Sequence, residues 1–548
     1  MTSDAAYPAF LASPRARRVW WVICAAWGAW LLVGIFPITP LEGDEQGVIQ
    51  GATALAHRDA RYWNLEYLYE IQPGAYVTIS RIARLTGWSA ENVFAGLSAG
   101  GALLFAAGAA FLIQRLLNAP WPLVAMGMLL SQEIWAGAYY MNTTAMGGWL
   151  AMLALVVALK PLTGWRILAV AVLLAVAGWI RIDCLLISPA VAALAWRRHG
   201  RLLPVCREIL PTALLALGLV ALLYYGSHVS PLDIVAANST RGLEGLGRTV
   251  RMYCLITSSL VGALSLVGLA LLLLRRQWAL LLVWISGVGL SFAVYGRSLG
   301  SNKYLYLAAP FFILAAVFAA QEVIQRWPAW PRVWRYATAA LGAALFLFDT
   351  VGGVLTSTAE RRLFAPRPQV VSLANLPVGG RNIQFTLGAG ELIATADGYR
   401  MRGGTLFAPA TWALDKAELI RRLDGLAVLL LAPDDSSLFV GDWLGYQLAL
   451  RVLRQEGFDF AQPYVQGISY PYAGVWRKGQ KVVHLGYLPY AKSEYFDPQR
   501  QVANPTGTNT WFVGTLGDLG PLAELTDGLH WQLHSTDRYG YIRVHQRL

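Results

Sequence analysis

Glu42, Asp44 and Glu45 stand together in the stretch FPITPLEGDEQGVIQ, residues 36–50, at the end of a long apolar run. A carboxylate in a partly desolvated place has a raised pKa and takes protons as a general base. The plainer reading is a solvated turn, or acids complementing the positive end of a helix. Three features favour chemistry. The acids follow the first apolar run directly. A long polar and aromatic stretch comes next (RYWNLEYLYE, then QPGAYVTISRIARL). Other turns between apolar runs (YYMNTT, RID, GRSLGSNKY) also hold polar groups where few are needed.

The elements that must position these groups are membrane spans. Of the 548 residues, 56% are hydrophobic and 14% charged, where soluble domains carry about 25% charge. Apolar runs of about 17–22 residues recur, long enough for a hydrocarbon core of roughly 30 Å. The net charge is +12, but the arginines sit beside apolar runs. They read as topology signals on the cytoplasmic side, not as a nucleic-acid surface, and no nucleic-acid motif is present.

Arg15, Arg17 and Arg18 put the N-terminus in the cytoplasm, and an uncleaved first span runs from about Val19 to Phe36. Residues 38–91 form a first extracytoplasmic loop with short interfacial helices. Ten further spans follow, at about 92–112, 121–138, up to 160, 166–179, up to WRRHGR, up to 225, up to 275, up to 295, up to 321, and 336–351. Clustered arginine marks nearly every inner turn. Cys24, Cys184, Cys206 and Cys254 lie in or beside apolar runs and suggest neither a disulfide framework nor a metal cluster. His57, His199 and His228 read as bystanders, and NTT and NST as chance matches to the glycosylation tripeptide.

The expected fold is a polytopic α-helical membrane protein of about eleven spans, residues 1–354, with a C-terminal soluble α/β domain, residues 355–548. An odd number of spans puts that domain outside. Its expected strands include RNIQFTL, LAVLLLAP and YGYIRVHQRL, with helices at DKAELIRRLDG and YQLALRVLRQEG.

An acidic pair after the first span, an aromatic-Pro patch in the loop behind it, many spans and an outer C-terminal domain together resemble the GT-C glycosyltransferases. The nearest type is the protein O-mannosyltransferases and lipid A aminoarabinose transferases. The resemblance covers about residues 19–320. It implies a sugar taken from a polyprenyl-phosphate carrier and handed to an acceptor outside the cytoplasm; the few cysteines and the arginine- and alanine-rich usage suggest a bacterium, and so its inner membrane. It implies Asp44 as general base with Glu45 beside it. IQPGAY falls at the family's Lys-Pro-Pro-aromatic patch, offering Gln72 and Tyr76, with Gln72 in place of Lys and Gly74 in place of the second Pro. Asn142 of MNTT stands where many members keep an acid. WIRIDCLLISP resembles the basic turn between two middle spans and puts Arg181 near the carrier phosphate, with Asp183 beside it. SNKYLYLAAP offers Lys303 and Tyr304, with Arg297 upstream.

That chemistry suits those residue types. A hydroxyl is a poor nucleophile until a carboxylate takes its proton. A departing lipid phosphate needs cationic donors, and the guanidinium fork matches phosphate. One base and one cationic clamp suffice, so no metal or other cofactor is expected beyond the lipid donor. The acceptor is a glycan, a lipid or a protein. The rival reading is a transporter or flippase of a lipid-linked substrate. Such proteins keep ionisable groups near the membrane midplane and often show internal repeats, whereas here the polar groups gather at turns. A noncatalytic assembly protein is a third reading, which carrier-sugar turnover excludes.

Overall fold

The computed structural model describes segments 43–57, 71–131, 141–230, 258–295, 306–355, 390–395, 398–403, 416–433, 435–440, 443–463, 473–487, 510–514, 531–536 and 543–547, with a few isolated positions elsewhere. Most of the expected first span, the RNIQFTL strand, Arg297, Lys303 and Tyr304 lie outside the described residues. Asp44 is described for its backbone alone.

The N-terminal part is helical. Its helices are α1 (Gly43–His57), α2 (Pro73–Thr86), α3 (Ala90–Leu117), α4 (Trp121–Leu130), α5 (Thr143–Val157), α6 (Trp165–Ile180), α7 (Pro189–His199), α8 (Leu202–Tyr225), α9 (Ser259–Leu274), α10 (Trp278–Tyr295), α11 (Ala309–Arg326) and α12 (Arg332–Leu355). A 3-10 turn, Ile182–Ile187, joins α6 to α7. By length and composition, α3, α8 and the stretch Tyr306–Ala329 around α11 are long and apolar enough to cross a membrane; α4, α5, α6, α9 and α10 are apolar but shorter. The 28 residues of α3 run about 42 Å at 1.5 Å per residue. Helices α3 to α12 overlap in order the residues expected as the second to eleventh spans, but α7 and α12 are not among these apolar helices. Helix α4 ends at Leu130, where the Ser131 N–H bonds to the Met128 carbonyl; most of the rest of the expected third span, to Ala138, lies outside the described residues.

Starts and stops follow from side chains. Ser89, Asn142 and Ser258 each accept a hydrogen bond from a backbone N–H of the first turn of α3, α5 and α9, meeting donors that a helix start leaves unpaired. At the other end of the bundle, Arg197 donates to the Leu116 carbonyl at 2.7 Å and Arg198 to the Ala158 carbonyl. Both cap the last turns of α3 and α5, where cations oppose the helix dipole. Arg198 and His199 also meet the buried carboxylate of Glu208, which accepts the Leu162 N–H at 2.8 Å. The WRRHGR stretch, read as a topology signal, thus also satisfies helix ends.

Two helix pairs run parallel in register. Ser98 meets Asn142, and Gly101 lies against Ala145, which aligns α3 with α5. Ser265 Oγ donates to the Phe312 carbonyl at 2.8 Å, aligning α9 with α11. One turn on, a Cβ at Gly268 would lie 2.0 Å from the Ala315 carbonyl oxygen. Helices in lipid lack a hydrophobic drive toward one another, so close backbone approach over small residues is what holds them. Gly268→Val is therefore expected to separate α9 from α11 and cost at least about 1–3 kcal/mol. Thermal unfolding in detergent checks this, and an unchanged Tm refutes it.

Beyond α12 the chain forms a β1–β2 hairpin (Gly390–Thr395 and Gly398–Gly403) and a seven-stranded mixed sheet. The sheet comprises β3 (Ser436–Val440), β4 (Asp459–Pro463), β5 (Ala473–Lys478), β6 (Lys481–Tyr487), β7 (Thr510–Gly514), β8 (Trp531–Thr536) and β9 (Arg543–Arg547), in the order β4-β5-β6-β3-β7-β9-β8. Central β3 pairs in parallel with β6 and β7, and the other pairings are antiparallel. Two helices accompany it, α13 (Lys416–Leu430) and α14 (Trp443–Gln455). The stretch LAVLLLAP, expected as a strand, instead continues α13 to Leu430. Leu426, Leu429 and Leu430 are buried at the i, i+3, i+4 spacing of one helical face, a pattern that a short apolar run conceals.

Candidate active site

The acids open α1. Gly43 and Asp44 form its start and Glu45 follows, its side chain 4% exposed. The first turn is where carboxylates are stabilised by the unpaired N–H groups. The apolar side of α1, including Val48, Ile49 and Ala52, joins the same core as Ala75, Tyr76 and Ile79 of α2. The two helices pack directly on each other.

At its own N-terminus α2 reaches the basic turn. Gly74 sits so close to the end of α6 that a Cβ there would lie 2.6 Å from the Trp179 ring and 2.7 Å from the Ile180 nitrogen. A proline at this position, as in the family's patch, would not fit this approach without a shift. The approach brings Gln72, 1% exposed, to Arg181. Arg181 Nη1 donates to Gln72 Oε1 at 2.8 Å and to Thr143 Oγ1 at 3.2 Å, and Thr143 Oγ1 donates to Gln72 Oε1 at 2.7 Å. Arg181 Nε donates to Asp183 Oδ2 at 2.8 Å. Arg181 is 5% exposed, so this is not the exposed interfacial ion pair that would contribute little. A buried guanidinium keeps its charge through hydrogen bonds and a counterion. Here three acceptors from α2, α5 and the 3-10 turn hold it, and the N-terminus of α5 adds a second source of positive potential.

Of the residues singled out by sequence, the structure brings Gln72, Arg181 and Asp183 into one hydrogen-bonded group. Asn142 is adjacent but does a different job. Its Oδ1 caps α5 by accepting the Thr144 N–H at 2.8 Å, and its own N–H donates to Ser98 Oγ at 2.7 Å. Tyr76 is buried on the side of α2, edge-on to Tyr69 at 5.5 Å between ring centres. Burial pushes the Tyr69 hydroxyl above its ordinary pKa, against the opposing effect of its bond to Ser227, so it remains a neutral donor.

Thr143 is the contact that sequence reasoning missed. Its signal was present, since the residue after a capping Asn must lie in the first helical turn beside the cap. Ser227 was missed too. It accepts from Trp179 Nε1 at 2.8 Å and ties the end of α8 to the same corner.

Among the described residues no three His, Cys, Asp or Glu side chains gather in one place. What the group offers is a fixed cation at the junction of three helices, joined through one short helix to a segment that opens with two acids.

No family model matches the chain, and no curated protein matches it. Among solved structures it is similar to the crystal structure of ArnT from Cupriavidus metallidurans in the apo state, at 13% identity and a TM-score of 0.49, over 97% of this chain and 98% of that one. It is similar also to ArnT from the same organism bound to undecaprenyl phosphate, at 13% identity and a TM-score of 0.49, over 96% of this chain and 97% of that one. The likeness is one of chain outline, and the site above stands on its own distances.

Proposed function

We propose that the chain is an integral membrane glycosyltransferase, moving a sugar from a polyprenyl-phosphate carrier to an acceptor hydroxyl on the extracytoplasmic face. It crosses a bacterial inner membrane about eleven times, with its N-terminus in the cytoplasm and its C-terminal α/β domain outside. The observation that carries this reading is Arg181. It is a buried guanidinium held by Gln72 and Thr143, while α2, which carries the Gln72 contact, packs against the helix that Asp44 and Glu45 open.

In the proposed step, Asp44 takes the proton of the acceptor hydroxyl as its oxygen bonds to the anomeric carbon of the sugar. The bond from that carbon to the phosphate oxygen breaks, and the polyprenyl phosphate leaves with the electron pair. Arg181 meets the growing charge on the phosphate, with Arg297 and Lys303 as further cations and Tyr304 beside them. Attack from the far side inverts the anomeric centre. A base and cations complete the step without a metal or a cofactor.

Charge placement favours this reading over transport. Among the described residues of α3 to α11, acids and bases lie within the first or last two turns of their helices, whereas transporters hold ionisable groups near the midplane. The test is purified full-length protein against a panel of polyprenyl-phosphate sugars, scored by release of free polyprenyl phosphate. Release from at least one donor is expected. No release from any donor, together with no binding of undecaprenyl phosphate, overturns the reading.

A further inference from the structure

Gln46 and Gln50 lie four residues apart on α1 and so share one face, within two turns of the acids. Gln447, Arg451 and Arg454 make the matching stripe on α14 of the C-terminal domain. Gln50 Nε2 donates to the Gln447 carbonyl at 2.8 Å, and Arg454 Nη1 donates to Gln50 Oε1 at 2.7 Å. Arg451 donates to Gln46 Oε1 at 3.2 Å and reaches Glu91, in the first turn of α3, at 3.4 Å. Gln46, Gln50, Gln447 and Arg454 are all at most 4% exposed. Behind them α14 packs on β3 and β6, and the Arg454 guanidinium lies 5.6 Å from the centre of the buried Trp476 ring.

Apolar helix faces tolerate sliding and rotation. A buried amide paired with a buried guanidinium does not, because any slip leaves both unpaired in a dry place. Each residue step on a helix turns the chain by about 100°, so an interface that fixes Gln46 and Gln50 also fixes the backbone positions of residues 44 and 45. The geometry points to Arg454, with Arg451, as a positioning residue for the acids: the C-terminal domain clamps the acid-bearing helix in rotation and height. This inference rests on the proposed glycosyl transfer for its effect on rate. The clamp itself is a statement about α1.

The experiment compares full-length wild type with Arg454→Met, Gln50→Leu and the double variant. It measures kcat and KM on whichever polyprenyl-phosphate sugar the wild type turns over, Kd for undecaprenyl phosphate, and hydrogen exchange of residues 43–57. A small misplacement of a reacting group costs up to about 100-fold. Arg454→Met is thus expected to lower kcat by roughly 10–100-fold while Kd for undecaprenyl phosphate stays within about twofold. The double variant is expected to be no worse than the worse single one, as for two residues acting through one contact. Residues 43–57 should exchange faster in each variant, with α3 to α11 unchanged. Unaltered kcat, additive losses, or a parallel loss of carrier binding and of protection throughout the bundle overturns the assignment. Should the wild type turn over no donor and bind no undecaprenyl phosphate, the glycosyl-transfer reading fails on those two results. Exchange then decides the clamp, and unchanged protection of residues 43–57 in Arg454→Met ends it.

Discussion

Asp44→Asn is expected to lower kcat for sugar transfer by on the order of 10²–10⁴-fold, the usual contribution of a positioned base, while Kd for undecaprenyl phosphate stays near the wild-type value. The substitution removes the proton acceptor and little else. Asn is nearly the same shape and loses only the interaction of the charge with the start of the helix, about 0.3–1 kcal/mol, so α1 should still begin at Gly43. Loss of rate with retained Tm and retained carrier binding therefore reports chemistry rather than folding. Turnover at the wild-type rate reassigns the base, and Glu45→Gln is the next variant to measure. Glu45 is buried on the same turn, so a combined loss of rate and Tm there reads as a structural role, and a loss of rate alone as catalysis.

Arg181→Ala is expected to weaken undecaprenyl phosphate binding. A hydrogen bond to a charged group contributes about 1.5–3 kcal/mol, or roughly 10–100-fold in Kd. The same variant also costs stability, because Gln72, Thr143 and Asp183 each lose a partner. Two companions separate the effects. Asp183→Asn removes the counterion but keeps the guanidinium, so it should lower Tm and leave carrier affinity within about twofold, since the phosphate contact is untouched. Arg181→Lys keeps the charge, but a single ammonium on a flexible stem cannot hold Asp183 and the Gln72–Thr143 pair in the fixed geometry of the fork. It should bind the carrier better than Ala and worse than Arg. If Arg181→Ala lowers Tm while carrier affinity is unchanged, Arg181 is a structural tie between α2, α5 and the 3-10 turn, and the phosphate contact lies elsewhere.

The helical bundle was legible because hydrophobic length and clustered arginine are local properties of the chain. A boundary was expected near residue 355, where apolar runs give way to shorter patterns. The strand expected at LAVLLLAP was misread because Leu426, Leu429 and Leu430 lie too close together for a short run to distinguish period two from period 3.6. Helix α13 settles it through burial of one face.

At the site, residue types could be read but partners could not. Gln72 and Arg181 stand 109 positions apart, and no pattern along the chain states that they touch. Their meeting depends on Gly74, whose missing side chain admits the end of α6, and that clearance exists only once both helices are placed. Asn142 was marked because it stands where many members of the resembled family keep an acid, yet its amide caps α5 while its neighbour Thr143 makes the contact. The link from α1 to α14 is more distant still, with Gln50 and Arg454 separated by 404 positions. The amino-acid sequence by itself determined a membrane-bound helical bundle, an acidic stretch at the end of its first apolar run and a polar C-terminal third, because solvation and periodicity act on neighbours along the chain. Only the tertiary structure decided that Arg181 is buried rather than exposed, which groups hold it, and that the C-terminal domain rests on the helix bearing the acids, because burial and pairing are set by what folds against a residue.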